Sequence, residues 1–370
     1  MFSLASENVW RKSMLKKIKN MFNKSAPDDQ QGDALTIGDL LHGTQPGSMQ
    51  SVGLMQVIPL TSTLEDDRFI SPMEANVWTE GYGQLSFENP SSQTLLIPTH
   101  TGFIVKQKAQ DHAMAHAGLI GPKKQKLYKT AMCVQATQGG MISKGPHKMM
   151  ILPHSLREKA LHVRKETNYD KLWQDISQFN DKNGQQEVGD LVLFTNAFKE
   201  QLDQFVAEFE CVPDQVGAII LLAGQVVGIE RAPSVQYWRS IWSALIRECY
   251  GSKAIELTRE LGKDVPLPET RVPLQTEQVH TLDDLAQALK AAQRAEDEIA
   301  KERVRELLDI PVDAEQEDET LGELHVQTIK SELFVGQLVR DKERICYASL
   351  INSEDLAKRR KWQKANAFSI

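Results

Sequence analysis

The chain has 370 residues, 41% apolar and 25% charged, with a formal net charge of −7. That composition belongs to a globular protein with one large core or two moderate ones, with disorder only at the ends. The acidic balance excludes bulk, sequence-independent nucleic-acid binding, which needs a basic footprint to displace counterions. No run approaches the about 20 apolar residues of a membrane helix, so a soluble, cytoplasmic protein is expected.

The four cysteines, Cys133, Cys211, Cys249 and Cys346, are far apart and form no CxxC. Neither a zinc site nor a disulfide framework is indicated, and reduced, buried thiols are expected. Residues 1–34 form a basic amphipathic segment and flexible linker. Arg11, Lys12, Lys16, Lys17, Lys19 and Lys24 stand beside Met14, Leu15, Ile18, Met21 and Phe22. Residues 9–24 could make peripheral contact with an anionic membrane or an acidic partner, or be a frayed extension before a start at Met14.

The stretch 25–50 is rich in Gly, Pro, Ser, Asp and Gln and reads as a linker interrupted by one apolar segment, Leu35 to Leu41. The folded body is expected to start near Val52. Short alternating runs punctuated by Gly, Pro and Asn make 35–155 a β-rich lobe, with helices over Met73 to Glu80 and over the QDHAMAHAGLIG segment at 110–121. Beyond Pro153, apolar residues at three- and four-residue spacing predict two amphipathic segments, the second capped by Thr195 or Asn196. GAIILL and VVGIE flank Ala223-Gly224 as a hairpin, and a helix from Ser234 to Leu261 buries Trp238, Trp242, Leu245 and Ile246. A charged helix from Leu282, an acidic loop DAEQEDET at 313–320 and a closing set of strands complete an α+β lobe over 156–352, with a basic tail at 353–370. The fold class is α+β, a β-rich N-terminal half followed by helices packed on antiparallel hairpins.

Several of these segments resemble one known family. VGLMQVIPLTS, FENPSSQTLLIPTHTGFIV, NYDKLWQDISQF, residues 217–257 and SELFVGQLVRDKERICYASLI are similar, in that order, to the ADP-ribosylglycohydrolase and rhodanese-phosphatase-associated protein domain, over about Thr36 to Asn352. The family is named for gene neighbours, so the resemblance implies a bacterial conflict or defence setting linked to ADP-ribose or NAD metabolism, with proteins of that neighbourhood as partners. It implies no reaction. The family's Lys-Gln-Asn-Arg stretch survives here as Lys106 and Gln107 only, and its Cys-Val-Glu-Gln-Gly-Arg-Trp segment as Cys133 and Val134. The chain is therefore a divergent member, and a non-enzymatic ligand-binding or scaffolding role is expected.

Candidate chemistry is sparse. His112 and His116, four apart, would share a helical face and could ligate a metal, with a third ligand from His100, Asp111 or His147; decoration of a short helix is the plainer reading. Cys133 could be a nucleophile only with a base beside it, and its apolar run favours packing. Lys123 and Lys124 in GPKK, within a cluster that continues to Lys144, His147 and Lys148, could meet a phosphate or else be solvated. No cofactor is assigned. One competing reading is a hydrolase of an ADP-ribose-type or other phosphorylated ligand that gathers Lys106, Gln107, His112, His116 and Cys133 around one cleft. Another is a self-assembling structural protein of a phage or mobile element. A homo-oligomer is expected.

Overall fold

A computed structural model describes residues 35–105, 109–262, 279–342 and 344–353. The basic segment over 9–24, Lys106, Gln107, most of the Pro-rich stretch after Leu261 and the basic tail lie outside the described residues. Within them no helix is long and apolar enough to cross a membrane.

The fold is α+β. Its frame is a nine-stranded sheet. Three strands come early in the chain, β1 (Gln45–Pro46), β2 (Gln50–Val52) and β3 (Met55–Thr61). The body also holds short strands, β4 (Phe69–Ile70), β5 (Asn76–Gly81), β6 (Gln84–Glu88), β7 (Thr94–Ile97), β8 (Thr101–Ile104) and β9 (His112–Ala113). These continue as β10 (Gly118–Ile120), β11 (Gln125–Tyr128), β12 (Met132–Cys133) and β13 (Lys148–Ile151). The large sheet resumes with β14 (Gln215–Leu222) and β15 (Gln225–Arg231), then β16 (Val312–Leu321), β17 (Leu324–Ser331), β18 (Phe334–Asp341) and β19 (Arg344–Asn352). Its order is β1-β3-β14-β15-β19-β18-β17-β16, with β2 on β3, so strands from both sides of residue 155 share one sheet. The short strands make three small sheets, β10-β7-β4, β11-β6-β5 and β12-β9-β8-β13.

Helices α1 (Ile37–Leu40), α2 (His154–His162), α3 (Trp173–Lys182), α4 (Leu191–Ala197) and α5 (Lys199–Glu208) precede β14. After β15 come α6 (Val235–Ala244), a π-helical segment (Leu245–Gly251), α7 (Ser252–Leu261) and, before β16, α8 (Leu282–Leu308).

Strand β14 shows why GAIILL is an unbroken apolar run. Ala218, Ile220 and Leu222 pack with Trp238, Trp242 and Tyr250, whereas Ile219 and Leu221 pack with Ile37 and Leu40 of α1 and Ala300, Val304 and Leu307 of α8. A strand covered on both faces has no polar side to alternate with. Its hairpin to β15 turns through Ala223 and Gly224, both at positive φ, as a two-residue loop matched to strand twist requires. Ser234 caps α6 by accepting from Tyr237 N, and the Trp238 and Trp242 rings lie 5.6 Å apart inside the core.

Five expectations need correction. Residues 73–80 are not a helix: a 3-10 turn at Pro72–Glu74 is followed by β5, whose Val77 and Thr79 are buried in alternation. Residues 110–121 hold β9, which pairs with β8 and β12, and β10, which pairs with β7, and Gly118 lies so close to the Tyr128 hydroxyl that a Cβ would sit 2.5 Å from it. The acidic run at 313–320 lies in β16, an edge strand on which Asp313, Glu315 and Glu317 face solvent and discourage further pairing, while Asp318 pairs with Arg164 and Glu319 with Lys126. Helix α4 starts at Leu191, capped by Asp190 through Val192 N, so Thr195 and Asn196 are inside it. The body begins before Val52, since Ile37 and Leu40 are fully buried against α8 and Thr36 and Asp39 form a capping box.

Arg157 on α2 lies wholly inside, donating from Nη1 to Glu230 Oε1 of β15 at 2.9 Å, with both side chains 2% exposed. Removing one partner of such a pair strands a buried charge, at about 3–5 kcal/mol. Arg157→Met should therefore destabilise by about that amount in urea unfolding. Adding Glu230→Gln, which removes the stranded charge but keeps the acceptor for Tyr250, should recover at least about half of it.

Candidate functional site

A cleft opens where several parts of the chain meet. One cavity of about 390 Å³ is lined by Asp111, Gln135, Lys148 at the start of β13, Thr195 and Asn196 of α4, Lys199 of α5 and Arg247 of the π-helical segment. A second, of about 510 Å³, is lined by Lys148 and Arg247 again, with Asp203, Glu248 and the apolar Met73, Met149 and Val206. Both volumes fall in the range of small-molecule sites.

Local chemistry places each group. Asp111 precedes β9; its Oδ1 accepts from Val105 N at 2.7 Å, and its carbonyl accepts from Val134 N at 2.9 Å. Gln135 follows β12, pairs with Asp190 through a backbone bridge and accepts from Asp111 N. The Asp190 cap thereby ties the start of α4, and with it Thr195 and Asn196, to the strand carrying Gln135. Arg247 projects from the π-helical segment, whose wider turn is frequent where a helix serves a site.

The electrostatics are mixed, with Lys148, Lys199 and Arg247 standing beside Asp111, Asp203 and Glu248. Arg247 Nε donates to Asp203 Oδ1 at 2.6 Å and its Nη1 to Glu248; Lys199 also binds Asp203, and Lys148 approaches Glu248 at 3.8 Å. Lys199 first and Arg247 next hold the Asp203 carboxyl down at about 2. Three cations thus face two committed carboxylates. Burial pushes the Asp111 carboxyl up to about 6, with Asp190 adding to the rise, which leaves one group in the wall able to exchange a proton near neutrality.

The sequence-derived candidates are placed differently. His112 and Cys133 are cross-strand partners in β9 and β12, both fully buried. His112 Nδ1 donates to Gln110 O at 2.7 Å and its Nε2 accepts from Gly83 N at 3.1 Å, so both ring nitrogens are engaged. Burial lowers its pKa and keeps it neutral. His116 lies beyond β9, bonded through Nδ1 to Ala117 O, with its ring edge-on to Tyr128. The two histidines share no helical face, and no group of three metal-ligating side chains occurs among the described residues. Burial pushes the Cys133 thiol up to about 12, the state of a packed cysteine. Lys123 and Lys124 sit in the turn between β10 and β11, where Lys123 adopts positive φ and its Nζ donates to Pro90 O, and neither lines the cleft. The fully buried His100 receives the Arg157 Nε–H at Nδ1 and also lies outside it. Of the basic cluster over 123–148, Lys148 alone among the described residues lines it.

Sequence reasoning missed Asp111 as the principal acid, Gln135, Lys199 and Arg247. The only signal was indirect: Asp111 adjoins the noted histidines, and Thr195 and Asn196 stood out as helix-cap types.

Two measurements check this site. Because the folded-state pKa of Asp111 is raised, the fold bears the full penalty above about pH 6 and loses it as the pH falls toward 4. Asp111→Asn should therefore stabilise the protein by up to about 3 kcal/mol at pH 8, with the gain fading toward pH 4, in chemical denaturation. Native protein treated with iodoacetamide at pH 8 should leave Cys133 unmodified by mass spectrometry, while the half-buried Cys211 reacts first.

No curated protein and no solved structure matches this chain. One family model does, over residues 43–350, spanning most of the strands and helices that build the cleft. The chain belongs to the family described as the ARG and Rhodanese-Phosphatase-superfamily-associated Protein domain.

Proposed function

We propose that the cleft binds a small phosphorylated ligand of the ADP-ribose type, and that the protein acts as a ligand-binding component of a bacterial conflict or defence system. The observation that carries this reading is that Lys148 and Arg247 line both cavities, so a ligand extending across them meets both cations. A diphosphate at that junction would gain charge-assisted hydrogen bonds from Lys148, Lys199 and Arg247, and Thr195, Asn196 and Gln135 supply neutral partners for hydroxyl groups. The apolar side formed by Met73, Met149 and Val206 suits the flat face of a base. Reading ARG in the family description as ADP-ribosylglycohydrolase makes ADP-ribose and NAD the first ligands to try.

A second reading, hydrolysis of such a ligand, is favoured by one observation. Asp111, raised to about 6 in the cleft wall, has the properties of a general base for an attacking water. It requires neither His112 nor Cys133.

Calorimetric titration of the full chain with ADP-ribose should show saturable binding, and Lys148→Ala should weaken it about 10-fold or more, as expected for one charge-assisted contact. Lys148 is half-exposed on a strand, so this change should leave stability unaltered. Absence of binding by ADP-ribose and NAD overturns the ligand class. Turnover that Asp111→Asn abolishes while binding persists replaces the binding role by the hydrolase.

A further inference from the structure

A third cavity, of about 520 Å³, lies at the end of the large sheet, away from the residues that form the cleft. Its walls include Arg231, the last residue of β15, Arg344, the first of β19, and His42 just beyond α1. Arg231 is half-buried, yet it has no ion pair among the described residues. Of its five N–H donors, Nη1 alone is used among the described residues, on the Leu40 carbonyl at 2.6 Å. Arg344 is scarcely better served: its Nη1 stands 3.8 Å from Asp66 and its Nη2 donates to Glu65 O at 3.3 Å. Asp66 is already taken by Arg68, which grips both of its oxygens at 2.8 and 2.7 Å.

Two guanidiniums with spare donors line one concavity, and burial depresses the Arg231 pKa, with the neighbouring Arg344 acting in the same direction. Withdrawing a guanidinium from water without a counter-charge is unfavourable, and the planar donor fork fits a tetrahedral oxyanion better than it fits water. Asp39, which also lines the cavity, accepts at Oδ2 from Thr36 N and Oγ1 in its capping box. Glu65 lies exposed at the rim, where it can accept from a hydroxyl group.

We propose that this cavity is a phosphate-group site, held by Arg231 and Arg344, for inorganic phosphate or a small phosphomonoester. It is independent of the cleft around Lys148 and of the function proposed for that cleft. A free phosphate would use the two arginines alone. A phosphorylated sugar would in addition place hydroxyls toward Glu65 and Asp39.

The test is titration of the full chain with inorganic phosphate and with ribose 5-phosphate at constant ionic strength, followed by calorimetry and phosphorus NMR line broadening. Saturable binding is expected, weakened about 10-fold or more by Arg231→Gln and measurably by Arg344→Ala, and unchanged by Lys148→Ala. Tighter binding of the sugar phosphate, lost in Glu65→Ala, would identify the monoester as the ligand; equal binding of both would identify phosphate itself. Arg344 is half-exposed at a strand end, so Arg344→Ala keeps the test valid should Arg231→Gln fail to fold. No binding to the unaltered protein overturns the proposal, as does binding that survives both arginine changes or is lost only with Lys148→Ala.

Discussion

The fold is organised around a charge taken out of water. Arg157 and Glu230 are both 2% exposed, and the energy of removing two ions from solvent is recovered only if each remaining donor and acceptor finds a partner. Here they do. Arg157 donates to Ser349 of β19, to Cys249 of the π-helical segment and to His100 before β8, and Tyr250 donates to Glu230 at 2.7 Å. Burial first and Glu230 next raise the Tyr250 phenol, which keeps it a donor. One guanidinium thus holds α2, two adjacent strands of the large sheet and the helix above them in register. Gly228 is part of the same constraint, since a Cβ there would stand 2.0 Å from the Tyr250 oxygen.

The π-helical segment connects this buried network to the cleft. Over four consecutive residues, Arg247 and Glu248 belong to the cleft wall, whereas Cys249 and Tyr250 reach the buried pair. The widened turn places all four within one short stretch. The position of Arg247, and so the geometry available to an anionic ligand, is tied to the packing of Tyr250 against Gly228 and Glu230. The network extends further along the sheet, where Gln337 accepts from Thr99 and Ala117 N and donates to Asp318, itself paired with Arg164. This second set of buried polar contacts fixes the loops leading to β8 and β10 on the large sheet.

Elements with strong local signals were legible in the sequence. The β14–β15 hairpin, the capped helix that follows, α8 and the closing strands each carry a periodicity or a turn residue strong enough to resist context. Short segments were not, because helical spacing competes there with strand pairing. Residues 76–81 pair with the adjacent β6 across the tight turn at Tyr82 and Gly83, and β9 and β10 within 110–121 pair with β8, β12 and β7. The acidic residues of β16 read as a loop because an edge strand buries little and shows no apolar alternation. The candidate site was the least legible part. Asp111, Lys148, Thr195 and Arg247 are up to 136 positions apart, and none lies in a motif with spacing of its own.

What the sequence determined by itself was the class of fold, the β14–β15 hairpin and the membership of a family, since these depend on composition, on apolar runs and on the order of segments. What only the tertiary structure decided was which charges are buried, which are paired and which face a cavity. Cys133 and His112 were singled out for their chemistry, but burial and complete hydrogen bonding leave them inert. Asp111 and Arg231 are unremarkable residue types whose properties arise first from withdrawal from water. Reactivity and affinity depend on desolvation and on partners within a few ångströms, and the chain assembles those partners from segments that sequence order keeps apart.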